Sequence, residues 1–279
     1  MNNIVLITVN YKNTSITEKF VLSANQCRNN SVISIIIVDN QSTQKSVKEL
    51  EIIGNNSKID VTILPSKENL FYWGGIGLAL SKIDFNSSQS PNWILVANND
   101  IIFNNSDIFK NLLKQNNLVK TIIAPRIIQL LTGMDQNPHM LNPLSLMQKC
   151  YYALYYSNPF TAKLVHFFGR FLNRNILMKN KSESNNNEIN IYAPHGACMI
   201  FSKEFFLRGG YLDIGFSFYG EELSIAEISQ KLELPITYIP DLVVHHNEHA
   251  STSSRDWFTA YSQSKKTYRY LRKKYTFKT

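Results

Sequence analysis

Asp39 stands at the end of a β-branched run over residues 32–38 and is followed by Asn40-Gln41-Ser42. A carboxylate just past a buried strand can accept hydrogen bonds from a base or a ribose; it can equally cap a helix or close an Asx-turn. Asn98-Asn99-Asp100 follows an apolar segment in the same way. A carboxylate there can hold Mg²⁺ or Mn²⁺, hard cations that share oxygen ligands with phosphates, or it can merely close a turn. Glu221-Glu222 lies between the aromatics Phe216, Phe218 and Tyr219 and the helical apolar spacing of Leu223, Ala226, Ile228 and Leu232. Two acids at a helix start are favoured by the macrodipole, and a carboxylate beside an aromatic wall can be tuned as a general base. His245-His246 ends an apolar run after Pro240. Paired histidines serve as surface residues, core residues or metal ligands.

These groups need elements to hold them. Apolar runs predict strands over residues 4–9, 32–38, 61–64 and 93–97, and helical periods are read over 20–29, 46–53 and 74–83. Alternation of this kind through the first 130 residues implies an α/β protein, a mostly parallel sheet with helices on both faces. Ligands of such sheets sit at the carboxyl ends of the strands, where Asn10, Tyr11, Asp39, Asn40 and Asn98 to Asp100 gather. Residues 134–190 differ in character. Tyr151-Tyr152, Tyr155-Tyr156, Phe160, Phe167-Phe168 and Phe171 alternate with Lys149, Lys163, Arg170, Arg174, Lys179 and Lys181, before an asparagine-rich stretch that reads as a flexible loop. A strand-like pattern resumes over 191–202 around Pro194-His195-Gly196, with further strands over 236–239 and 242–244. From Asp256 the chain reads as a helix carrying Lys265, Lys266, Arg269, Arg272, Lys273 and Lys274 beside Trp257, Phe258, Tyr261, Tyr268 and Tyr270. The chain thus divides into residues 1–133, a helical and flexible insertion over 134–190, and residues 191–279.

With 279 residues, 44% of them hydrophobic, the chain can build one large core. The net charge of +8 suits a nucleic acid, an anionic membrane or a phosphorylated substrate and does not choose among them. Cys27, Cys150 and Cys198 form no CxxC pair, which argues against a cysteine zinc site or a disulfide framework and for a reducing cytosol. No basic region followed by an apolar stretch opens the chain, so no signal peptide is expected. No segment approaches the ~20 apolar residues of a spanning helix, so a cytoplasmic protein is expected.

The order of these pieces is more specific than any one of them. ITVNYKN, SIIIVDNQS, ENLFYWGGIGLAL, WILVANNDIIF, APHGACMIFSKEFFLRGGYLDIGFSFYGEELSIAEI and YIPDLVVHHNEHAST follow one another within residues 4–130 and 191–252. Together they resemble glycosyltransferase family 2, in its rhamnosyltransferase-like branch of capsule and O-antigen assembly. The resemblance implies a GT-A fold, a nucleotide-sugar donor (dTDP-rhamnose or a UDP-hexose), a lipid-linked saccharide acceptor, and inverting transfer helped by Mg²⁺ or Mn²⁺. It implies no nucleic-acid partner and a peripheral place on the anionic inner face of the cytoplasmic membrane. It gives Asp39, Asn10 and Tyr11 to the nucleobase pocket, and Gly74 and Gly75 to close approach of the donor. Asn98, His195 and Glu221 join the donor site, Asp100 and His246 become metal contacts with His245 as the alternative in register, and Glu222 becomes the catalytic base.

Three positions depart from the family's pattern. Asn98 replaces the first acid of Asp-x-Asp, Phe71 and Gly77 stand where Gly and Asn are common, and Glu222 replaces Asp. Two other functions remain to be weighed. A sugar-nucleotide pyrophosphorylase wants a Gly-rich basic loop after the first strand, and residues 8–13 contain no glycine. A glycan-binding scaffold without catalysis draws support from Asn98 alone.

Overall fold

A computed structural model describes residues 3–29, 31–165, 186–248 and 256–275. Its first half alternates strand and helix: β1 (Asn3–Asn10), α1 (Thr14–Cys27), β2 (Val32–Asn40), α2 (Gln44–Asn55), β3 (Asp60–Ser66), α3 (Phe71–Leu80) and β4 (Trp93–Ala97). The short β5 (Ile101–Ile102), α4 (Ile108–Leu113), β6 (Ile122–Gln129) and α5 (Leu146–Tyr155) follow. The last third holds β7 (Ile189–Ile191), β8 (Cys198–Ser202), α6 (Lys203–Leu207), α7 (Glu221–Lys231), β9 (Ile236–His246) and α8 (Trp257–Tyr275).

Among the described residues all nine strands join one sheet in the order β3-β2-β1-β4-β8-β6-β9-β5, with β7 on β9. β3, β2, β1 and β4 are parallel, as expected. β8 then inserts antiparallel between β4 and β6, and β6 runs parallel to β9. The reversed strand brings residues of the last third into the middle of the sheet, against β4.

Burial on both faces explains the unbroken apolar runs. On β1, Ile4 and Leu6 face a core with Phe20, Leu50, Phe103 and Phe109, while Val5, Ile7 and Val9 face another with Trp73, Ile76, Phe205 and Ile225. Helices α1, α2 and α4 cover the first face and α3, α7 and α8 the second. Successive side chains alternate across the pleat, so one strand serves both cores.

Several boundaries differ from those the sequence predicts. Helix α1 starts at Thr14 rather than Phe20, because Thr17 faces inward and is fully buried. The two strands expected over 236–244 are one continuous β9, which passes Pro240 with a register shift against Pro125/Arg126. The strand-like pattern over 191–202 is two strands parted by a turn at Pro194–Ala197. Of the middle segment, the residues up to Met140 are built into the sheet through bridges Ile128↔Asp135 and Met140↔Ala193. The expected aromatic and basic residues from Phe167 to Lys181, and residues 182–185 of the loop after them, lie outside the described residues, while Asn186 of that loop accepts from Arg126 Nη2 at 2.9 Å.

Candidate active site

β1, β2 and β4 end side by side, and their polar terminal residues are tied together. Asn10 and Asp39 are register partners. Asn10 Nδ2 donates to Asp39 Oδ1 at 2.7 Å and Ser46 Oγ to Asp39 Oδ2 at 2.6 Å. Thr17 Oγ1 donates to Asn10 Oδ1 at 2.8 Å, and Asn99 Nδ2 to Thr17 Oγ1 at 3.0 Å. This chain of donors runs from the turn after β4 to the Asp39 carboxylate. It fixes both carboxylate oxygens while leaving each with acceptor capacity. Tyr11 is exposed at the rim, its hydroxyl 3.2 Å from Gln41 Oε1.

Helix α3 starts beside this pocket. Phe71 takes the left-handed backbone that a glycine would take there (φ +58°), and its ring packs edge-on to Phe218 at 4.8 Å. Asn40 Nδ2 holds the Phe71 carbonyl at 2.8 Å. Gly75 is required by packing: a Cβ would lie 2.8 Å from Val9 Cγ2, so the glycine lets α3 rest on β1. Gly74 has only an ordinary contact, with Leu70.

The turn after β4 places Asp100 next to the end of β9. Two-residue pairing of β5 with β9 sets Ile101 opposite His246, and the Asn247 N–H donates to the Asp100 carbonyl at 3.0 Å. As a result Asp100 Oδ1 lies 3.3 Å from His246 Nε2, with both side chains buried. This oxygen accepts no hydrogen bond. An unbonded buried carboxylate oxygen beside an imidazole nitrogen is costly by itself and is a donor set that suits a divalent cation. Among the described residues no three His, Cys, Asp or Glu side chains converge. Phosphate oxygens and water would complete the coordination of Mg²⁺ or Mn²⁺. His245 is on the opposite face of β9, paired with Ile102, and its ring is held below the usual imidazole range by burial.

β8 delivers the remaining groups. Asn98 N–H donates to the Ala197 carbonyl at 2.9 Å, which sets the turn before β8 against the Asn98–Asp100 turn. Gly196 N–H donates to Glu222 Oε1 at 3.1 Å, and a Cβ on Gly196 would meet that oxygen at 2.7 Å. Only glycine lets the carboxylate come so close. Glu221 turns inward, accepting from Gly220 N–H at 2.8 Å; burial and then the charge of Glu222 raise its pKa to about 7. His195 N–H donates to Asn137 Oδ1 at 2.9 Å, and His195 Nδ1 accepts from Ala197 N–H at 3.1 Å. Its ring stands 5.4 Å from that of His139 and 6.1 Å from that of His246, and burial followed by those two neighbours lowers its pKa to about 3. It is therefore a neutral imidazole with an Nε2–H to donate.

Three residues of the site left no sign in the sequence. Thr17 and Ser46 reach Asn10 and Asp39 only once the chain is folded, although Ser46 also closes a local capping box with Thr43. Tyr72 carries a buried hydroxyl without a hydrogen-bond partner, its pKa raised first by burial and then by the charges of Cys198, Glu221, Asp100 and Glu222. Two clefts, of about 580 and 510 Å³, lie away from these residues, at the α2–β3 edge and between α5 and α8.

A sheet whose parallel strands are interrupted by the reversed β8, with β5 and β7 antiparallel on β9, is the arrangement of a GT-A fold. Solved structures of that fold match the chain. GalNAc-T7 with UDP, GalNAc and Mn²⁺ matches at 12% identity and TM-score 0.59, over 97% of this chain and 48% of its own. The mannosyltransferase PcManGT from Pyrobaculum calidifontis, in complex with GDP-Man and Mn²⁺, matches at 11% and 0.53, over 89% and 58%. S. aureus TarS matches at 11% and 0.56, over 88% and 37%. The chain thus spans less than two thirds of the length of each of these three. No protein-family model and no curated protein sequence matches it.

Proposed function

We propose that this chain is a glycosyltransferase that moves a sugar from a nucleotide-sugar donor to a hydroxyl of a saccharide acceptor with inversion. The observation that carries the reading is Asp100 Oδ1, buried, unbonded and 3.3 Å from His246 Nε2, beside the turn that holds Glu222. Asp39, Asn10 and Tyr11 would bind the base, and Asn98 and His195 would face the donor. Glu222 takes the proton of the acceptor hydroxyl as that oxygen bonds to the anomeric carbon and the bond from that carbon to the diphosphate breaks. His195, as a neutral donor, is suited to hydrogen-bond an oxygen of the donor. Asp100 and His246 would hold a divalent cation, which would supply positive charge against the departing diphosphate. That the structures matched at low identity contain UDP or GDP-Man with Mn²⁺ supports this reading. The family 2 resemblance adds dTDP-rhamnose or a UDP-hexose as donor and a lipid-linked acceptor at an anionic membrane surface.

Thermal-shift and calorimetric titration with nucleotide sugars and Mn²⁺ tests the reading. The wild-type chain should bind and turn over at least one such donor, with EDTA abolishing turnover. Asp100→Ala should lose Mn²⁺-dependent binding of the nucleoside diphosphate. Activity untouched by EDTA would remove the cation from the reaction.

A further inference from the structure

We propose that Gln136 and Glu248 are positioning residues that set the tautomer of His246, so that the lone pair of Nε2 faces Asp100. The inference rests on the reading of Asp100 and His246 as the cation's ligands, and it adds the groups that prepare one of them.

His246 Nδ1 lies 2.7 Å from Gln136 Oε1. An amide oxygen only accepts, so the proton of this bond belongs to Nδ1. The amide could be turned over only if its surroundings allowed it. They do not: Gln136 Nε2 donates to Glu248 Oε2 at 3.2 Å, an oxygen that also accepts from Gln129 Nε2. A reversed Gln136 would set its oxygen against a carboxylate and its NH₂ against a ring nitrogen. Glu248 therefore orients the amide, the amide holds a proton on Nδ1, and the single-proton tautomer this selects has its lone pair on Nε2.

That lone pair is directed into the gap with Asp100. A histidine and an aspartate paired only for stability would be arranged the other way, with Nε2–H donating to the carboxylate at ~2.8 Å. Here the separation is 3.3 Å and Asp100 Oδ1 receives no hydrogen bond. Two electron-rich atoms, buried and facing each other, are at ease only with positive charge near both. An outer carboxylate–amide pair that selects the tautomer of a metal-ligating histidine is the arrangement that raises its affinity for the ion. Gln136 sits in the segment that bridges to β6 and packs under β9, which holds the device on the sheet rather than on a free loop.

The experiment uses the full chain. ¹H–¹⁵N spectra of the metal-free wild type should show His246 protonated on Nδ1 alone. Gln136→Met, similar in length but without the acceptor, should lose that signature and weaken Mn²⁺ binding in the presence of UDP, read by electron paramagnetic resonance, by roughly 10- to 100-fold. Glu248→Met, which removes the acceptor that orients the amide, should weaken Mn²⁺ binding in the same direction as Gln136→Met, by roughly 10-fold. A wild-type His246 protonated on Nε2, or on both nitrogens, overturns the proposal. So does wild-type Mn²⁺ binding in Gln136→Met. If that variant does not fold, the wild-type spectrum decides. A wild type with the Nδ1 proton but no Mn²⁺ binding upholds the tautomer relay and removes Asp100 and His246 as cation ligands.

Discussion

Adjacent carboxylates at Glu221 and Glu222 share a helix start but have different surroundings. Glu222 reaches over Gly196 and keeps one oxygen for a substrate proton; Glu221 is buried against the protein. Glu222→Gln preserves shape and the contact with Gly196, so donor binding should persist while transfer falls by roughly 100-fold or more. Steady-state kinetics with a bound-donor control checks this, and a variant within a few-fold of wild type would pass the role to Glu221. Glu221 has its own signature. Its folded pKa of about 7 lies above the usual carboxylate value, so the folded state holds a proton that the unfolded chain releases. The stability this gives is fully present below about pH 4.5 and is lost as pH rises toward 7. Glu221→Gln should flatten that decline in urea titrations across the same range. An unchanged pH slope would mean that Glu221 is not protonated in the fold.

Helix α8 is more than the basic appendage that its composition suggests. Asp213, in the loop before α7, accepts from Tyr270 at 2.8 Å and Tyr275 at 2.6 Å, both on α8, and pairs with Lys274 at 3.0 Å. Thr267 Oγ1 donates to the Phe218 carbonyl at 2.7 Å, and Gly215 and Gly220 leave room for Tyr270 and Thr267. The helix is thereby clamped to the loop that leads into Glu221 and Glu222. Burial raises the Asp213 pKa, but hydrogen bonds from Tyr275, Tyr270, Lys274 and the Gly215 N–H outweigh it and leave the carboxyl below its usual value. A depressed carboxylate contributes stability at neutral pH that is lost as pH falls through its folded pKa. Asp213→Ala should cost about 3 kcal/mol, because it strands several buried donors, and should remove that acid sensitivity. Denaturant unfolding at pH 7 and at low pH measures both effects. Truncating the chain before α8 would expose Leu271 and Tyr261 partners and unsettle the site, so charge reversal is the cleaner way to test the helix surface.

The whole molecule carries a net charge of +8, and no helix among the described residues is long and apolar enough to cross a membrane. Between α5 and α8 a cleft of about 510 Å³ is lined by Tyr156, Tyr268, Arg269, Arg272 and Lys273. Tyr156 stacks on Tyr268 at 4.7 Å, and Leu146, Met147, Leu154 and Phe258 stand exposed nearby on the two helices. Cations over a tyrosine floor with apolar side chains beside them suit the headgroup region of an anionic bilayer. We expect co-sedimentation with phosphatidylglycerol vesicles at low salt and release as the ionic strength passes ~0.15 M, where screening reaches about 8 Å. Arg269, Arg272 and Lys273 changed together to Glu should abolish binding, since each cation contributes on the order of 1 kcal/mol at such a surface. No binding by the wild type at low salt sinks the idea.

Much of this was legible in residue order. Apolar runs ending in Asn10, Asp39 and Ala97 marked three parallel strands, because a strand buried on both faces must be apolar throughout and its polar end must emerge at the ligand edge. The resemblance to family 2 pointed to Asp100, Glu222 and His246; the fold sets Asp100 against His246 and rests Glu222 on Gly196. Local pattern could not show that β8 runs backwards between β4 and β6, since reversal leaves no periodic trace. Residue order left His245 beside His246 as an alternative in register; the pairing of β5 with β9 and the alternation of side chains on β9 turn His246 toward Asp100 and His245 to the opposite face. Nor could it single out Gln136, Thr17 or Gly196, whose parts consist of a few side-chain hydrogen bonds or one missing Cβ and so exist only once the chain is folded.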